Sequence, residues 1–189
     1  MIKSEFTVGD FRLDSLCFDE ETKSFVIIEY KRDKSYSVID QGYSYLSTML
    51  NNKSDFVLEF NESMKETLKR DEIDWSQSRI IFVSPAFSSY QKTSVNFRDV
   101  PFELWEISRF SNNTIGLNQV SSDSKESIKG VGKANGTQIK NVTDEIKVFD
   151  EDSHMSTASS NVRNLYFELK ERLSSWDGFD FRFKKHHIS

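Results

Sequence analysis

Three observations predict an α/β fold. Short apolar runs of strand length alternate with stretches whose apolar residues recur at helical spacing. Sixteen phenylalanines, in a chain of 189 residues that is 37% hydrophobic and 29% charged, suffice for one buried core. After residue 120 the composition shifts to Ser, Lys, Asn and Asp, which marks the end of that core. The expected organisation is a main domain at 1–120, a polar flexible linker at 121–160 and a helix–strand tail at 161–189.

"FRLDSLCF" (11–18) and "FVIIEYK" (25–31) read as two strands, joined by the polar loop "DEETKS" (19–24) into a hairpin. "SYSVIDQGYSYLSTMLNN" (35–52) reads as a helix, because Val38, Ile39, Tyr43, Leu46, Met49 and Leu50 form one apolar face. "DFVLEF" (55–60) is expected as a strand and "NESMKETLKRDE" (61–72) as a helix capped by Asn61. "RIIFVS" (79–84) is a buried strand closed by Pro85, and residues 87–97 form a short helix. "FELWEISRF" (102–110) and "TIGLNQV" (114–120) make a last strand pair. In the linker, "KGVGKANG" (129–136) reads as flexible chain and "EIKVF" (145–149) as a short strand. "NVRNLYFELKERLSSW" (161–176) is an amphipathic helix with Val162, Leu165, Tyr166, Leu169 and Leu173 on one side, followed by a strand at "FDFRF" (179–183).

Several function classes are disfavoured. No apolar run approaches the roughly 20 residues that span a bilayer, and "MIKSEFTVGD" lacks the apolar stretch of a signal peptide. The single cysteine, Cys17, rules out an internal disulfide and fits a reducing cytoplasmic setting. It has no evident catalytic His partner, since His154 falls in the linker and His186 and His187 in the tail. A net charge of −5 argues against a protein that coats itself in nucleic acid. It does not exclude a nuclease, whose site needs carboxylates.

The chemistry concentrates at the end of the second strand. Phe25, Ile27, Glu29 and Lys31 share one face of "FVIIEYK" by strand alternation. If Phe18 pairs with Phe25 across the hairpin, Leu16 faces Ile27, Asp14 faces Glu29 and Arg12 faces Lys31. Two carboxylates so opposed, about 4.5–5.5 Å apart at Cβ, repel each other, and a divalent cation between them turns the repulsion into binding. On the following helix Gln41 and Tyr45 stand one turn apart on one face.

Asp14, Glu29-Tyr30-Lys31 and the Gln41…Tyr45 pair resemble the signature of the PD-(D/E)xK (restriction-endonuclease-like) nuclease superfamily, in its RecB-like and NucS-like branch. The resemblance covers about residues 4–110, and the tail resembles the start of a C-terminal domain of unknown function that often accompanies such nucleases. It implies a central mixed β-sheet flanked by helices. The helix that family members carry before the hairpin has no counterpart here. It further implies that Asp14, Glu29 and the main-chain carbonyl of Tyr30 hold Mg²⁺ or Mn²⁺. Lys31 would orient the attacking water or stabilise phosphoryl charge, Gln41 would assist positioning, and Tyr45, Arg32 and Lys34 would contact substrate. The implied activity is metal-dependent hydrolysis of DNA, single-stranded or branched. The alternative is an inactive nuclease-fold module that binds DNA or a protein partner. The tail helix is further expected to cover exposed apolar sheet, either within its own chain or from another subunit of a homo-oligomer.

Overall fold

The computed structural model describes residues 1–32, 37–122, 124–130, 136–176, 179 and 181–189. The chain divides into two compact units, Met1–Lys147 and Val148–Ser189.

Among the described residues the first unit is built on one six-stranded mixed sheet. Its strands are β1 (Lys3–Val8), β2 (Phe11–Asp19), β3 (Ser24–Tyr30), β4 (Arg79–Ser84), β5 (Phe102–Arg109) and β6 (Ile115–Val120), and they lie in chain order across the sheet. β1, β2 and β3 pair antiparallel, β3–β4 and β4–β5 parallel, and β5–β6 antiparallel. The hairpin register is as expected where it is paired: Phe18 opposes Phe25 and Leu16 opposes Ile27.

The parallel step from β3 to β4 needs a crossover, supplied by α1 (Val38–Asn51) and α2 (Lys53–Met64). Ser37 caps α1 by accepting from the Asp40 N–H at 3.3 Å. Val38, Tyr43, Leu46 and Met49 of α1 are buried, with Ile39 and Leu50 packed at the margin. Gly42 allows close seating on the sheet: a Cβ there would collide with the Phe102 ring, which also packs on Tyr43 and Phe82.

The second crossover helix corrects the sequence reading. The stretch at 55–60 is helix, not strand, and belongs to α2. Phe56 and Phe60, one turn apart, pack against Phe6, Phe18 and Phe25, while Leu58 stays 57% exposed. A strand would have put Leu58 on the same side as both phenylalanines. Asn61 likewise starts no helix. It lies inside α2, which ends at Met64 with Lys65 left-handed (φ 57°), and its Oδ1 accepts from the Leu68 N–H at 2.7 Å. β1 is an addition to the expected elements. Its Phe6 and Val8 are buried in the same core as Leu13 and Leu16.

The polar stretch after residue 120 also contributes to the first unit. Ile128, Val142 and Ile146 are buried. α4 (Gly136–Glu145) is fastened to α2 by the Lys53–Glu145 ion pair, and the Lys147 N–H donates to the Ser76 carbonyl at 2.8 Å. No strand forms among the described residues at 145–149; Glu145 closes α4 instead. Residues 131–135 of "KGVGKANG" lie outside the described residues. Between β4 and β5, α3 (Ser89–Ser94) is the expected short helix.

In the second unit α5 (Glu151–Met155) precedes α6 (Ser160–Ser174). Glu151 accepts from Tyr166 at 2.8 Å and from Lys170 at 2.5 Å. Val162, Leu165 and Leu169 of α6 are 53, 67 and 53% exposed. Where a strand is expected at 179–183, the described residues form a single bridge, Phe183 with Ile188.

Candidate functional site

β3 carries Phe25, Ile27, Glu29 and Lys31 on its helix-facing side. The first two are fully buried, and Glu29 and Lys31 retain only 7% and 9% exposure. The strand thus takes a carboxylate and an ammonium into the layer where α1 lies. The Lys31 N–H continues the pairing with β4 by donating to the Val83 carbonyl at 2.8 Å. Its Nζ stands 5.6 Å from the centroid of the Phe82 ring, the fully buried neighbour on β4.

Asp14 reaches the site through an interruption of the sheet. In the β1–β2 ladder Ser4 pairs with Ser15 and Phe6 with Leu13, so Glu5 and Asp14 are skipped together. Glu5 has a left-handed backbone (φ 54°), a conformation uncommon outside glycine. Leu13 and Leu16 are both fully buried although they are three residues apart. Regular alternation would have sent them to opposite faces. The β2–β3 ladder ends at Ser15–Ile28, one residue short of the expected Asp14–Glu29 pair. Asp14 instead uses its side chain: Oδ2 accepts from the Tyr30 N–H at 2.9 Å.

α1 closes the site. Gln41 Nε2 donates to Glu29 Oε1 at 2.9 Å and to the Tyr45 hydroxyl at 2.8 Å, while Gln41 Oε1 accepts from Lys31 Nζ. Lys31 Nζ is 3.5 Å from the same Glu29 oxygen. The Tyr45 hydroxyl is 3.5 Å from the Arg12 carbonyl, and its ring meets Phe11 edge-on. Glu29 Oε2 is buried and meets no donor at hydrogen-bonding geometry. Burial pushes the Glu29 carboxyl above the usual glutamate range, the Asp14 charge pushes it further, and Lys31, the Asp14 N–H and Gln41 act against both. Burial, then the Glu29 charge, likewise raises the Tyr45 hydroxyl.

Asp14, Glu29, Lys31, Gln41 and Tyr45 are therefore brought together by hydrogen bonds or charge. The Tyr30 ring is 55% exposed and only its backbone takes part. Arg32 is exposed just beyond the strand, and Lys34 lies outside the described residues. Sequence reasoning missed Phe82, the Arg12 carbonyl and Gly42. For Phe82 a signal existed, since Ile80, Phe82 and Ser84 alternate in register with Ile27 and Glu29. Glu103 and Glu106 serve separate partners, the first Arg79 and Trp105, the second Lys92 and the Phe87 N–H.

Two neighbouring carboxylates, one with an unpartnered buried oxygen, are donors of the kind a hard divalent cation takes. Among the described residues no group of three or more His, Cys, Asp or Glu gathers around one point, so any such ion would be held by the pair, by backbone and by water. Among the same residues no helix is long and apolar enough to cross a membrane.

A Haemophilus influenzae protein described as "Uncharacterized protein" is 46% identical over 177 residues, which covers 93% of this chain and 58% of that protein. The chain thus spans a little over half the length of this curated relative. No family model matches the chain, and no solved structure matches it.

Proposed function

We propose that the first unit is a restriction-endonuclease-like domain of the PD-(D/E)xK type, of the RecB-like and NucS-like branch, and that it hydrolyses phosphodiester bonds in DNA with Mg²⁺ or Mn²⁺. The observation that carries this reading is Glu29. A carboxylate with 7% exposure keeps one oxygen without a donor, next to a second carboxylate and a lysine. Burying such a group costs stability unless a ligand completes it. The strand order supports the reading too: an antiparallel hairpin, then a helical crossover to a parallel strand, with the charges at the end of β3.

Asp14, Glu29 and the Tyr30 carbonyl would hold the cation. When bound, the ion supplies Lewis-acid stabilisation of phosphoryl oxygens and a more acidic water. Lys31 contributes a largely desolvated positive charge, which can orient the attacking water and oppose charge that grows on the phosphate. Gln41 and Tyr45 hold Lys31 and Glu29 in fixed relation. Arg32, exposed next to the site, contacts substrate phosphate, and the preferred substrate is single-stranded or branched DNA.

The test is a cleavage assay on single-stranded, flapped and duplex DNA with Mg²⁺ or Mn²⁺. Asp14→Ala, Glu29→Ala and Lys31→Ala should each lower the rate by about a hundredfold or more. Cutting that survives the two carboxylate variants, or fails with every metal and substrate, sinks the proposal. DNA binding without metal dependence would point to a non-hydrolytic module.

A further inference from the structure

Gln41 divides the Glu29 carboxylate between two uses. One oxygen, Oε1, accepts from Gln41 Nε2 at 2.9 Å. Lys31 Nζ meets that same oxygen only at 3.5 Å, a long contact next to the roughly 2.7–2.9 Å of a close charge-assisted bond, because it also donates to Gln41 Oε1. The other oxygen, Oε2, is left open. The amide has one sensible direction. Turned over, its NH₂ would face the ammonium and its oxygen the carboxylate. The Tyr45 hydroxyl adds a second acceptor on the NH₂ side at 2.8 Å.

We propose that Gln41 is a spacer that holds Lys31 at long range on Glu29 Oε1, keeps it from closing on the carboxylate, and so leaves Glu29 Oε2 open to a divalent cation. This rests on the reading of Asp14 and Glu29 as cation ligands. Without the amide, an ammonium with three donors closes on a buried carboxylate whose second oxygen has no donor. Poor access to water makes that attraction strong. An incoming cation then has to displace an internal one. Gln41 is in this sense a positioning residue, which acts through Glu29 and Lys31.

The experiment is calorimetric titration of Mn²⁺ into the full chain and three variants, Gln41→Met, Lys31→Met and the double variant. Methionine matches the length of glutamine and its helix propensity, and thermal unfolding verifies that each variant is folded. Gln41→Met should weaken Mn²⁺ binding by about tenfold or more, the usual scale for losing a group that orients a metal ligand. Lys31→Met should bind at least as tightly as the parent. The double variant should regain the affinity of Lys31→Met, because the competitor is gone. A Gln41→Met affinity equal to the parent's overturns the inference and leaves the cation site standing. So does a double variant as weak as Gln41→Met, which would make Gln41 merely a support for Glu29. A parent chain that binds no Mn²⁺ at millimolar concentration overturns the cation site itself, and this inference with it.

Discussion

Arg79 and Glu29 stand at opposite ends of two adjacent parallel strands, and the sheet treats their charges in opposite ways. At the start of β4, Arg79 bonds Asp19 and Glu103, each at 2.8 Å. Glu103 also accepts from Trp105 Nε1 at 2.9 Å, and Asp19 accepts from the N–H groups of Glu21 and Thr22. Burial pushes the Asp19 carboxyl up, but the Arg79 bond and charge and those two N–H groups pull it below its ordinary 3.8. At the end of β3 the balance reverses: Glu29 keeps an oxygen without a donor and its carboxyl lies above the ordinary 4.5. Similar residue types on neighbouring strands thus build a structural clasp at one end and an unfinished site at the other. The completeness of the partners distinguishes the two, not the presence of charge.

The strongest way to break this comparison is Arg79→Met. It strands two part-buried carboxylates and should cost about 2–3 kcal/mol in urea unfolding. A cost near zero would mean the clasp is decorative. Asp14→Asn works in the other direction. It removes a like charge from Glu29 while an amide oxygen still accepts from the Tyr30 N–H, so the fold should gain about 0.5–1 kcal/mol. The same variant should lose Mn²⁺ binding, which separates stability from the proposed function.

The pH dependence sharpens the contrast. Asp19 is ionised more readily in the folded chain, so its contribution is present above its ordinary 3.8 and is lost as pH falls through the lowered folded value. Glu29 holds its proton more tightly when folded. Its contribution is full below 4.5 and declines as pH rises through the raised value. Unfolding free energies measured from acid to neutral pH should show the parent losing ground to Glu29→Gln above 4.5. Parallel curves would remove the unfinished end from the comparison. The smallest effect is expected for Lys53→Met. The Lys53–Glu145 pair is about one-third exposed on the lysine side and 40% on the other, and such pairs contribute about 0.2–1 kcal/mol.

Most of the sheet was legible because its strands are bounded and their burial is decided locally. The hairpin register followed from placing Phe18 against Phe25, and α1 from six apolar residues at one spacing. The helix at 53–64 was not, because Phe56, Leu58 and Phe60 satisfy a strand pattern as well as Phe56, Val57 and Phe60 satisfy a helical one. Only the partners on β1, β2 and β3 decide between them. α4 was hidden by composition: Ile139, Val142 and Ile146 repeat at helical spacing inside a polar stretch. In the candidate site, the meeting of Glu29, Lys31, Gln41 and Tyr45 was legible from strand alternation and helical spacing. The mode of arrival of Asp14 was not, since two strands lose their alternation together at Glu5 and Asp14, and no single-strand pattern reports a paired event.

Gly42 gives the first unit a mechanical calibration point. The residue next to Gln41 has a hydrogen where any side chain would strike Phe102, so the standoff between helix and sheet is set one residue away from the amide that meets Glu29 and Lys31. A methyl group there, otherwise favourable in a helix by about 1 kcal/mol, would act as a shim. It would lift the glutamine from the carboxylate and lysine without altering any residue that touches them.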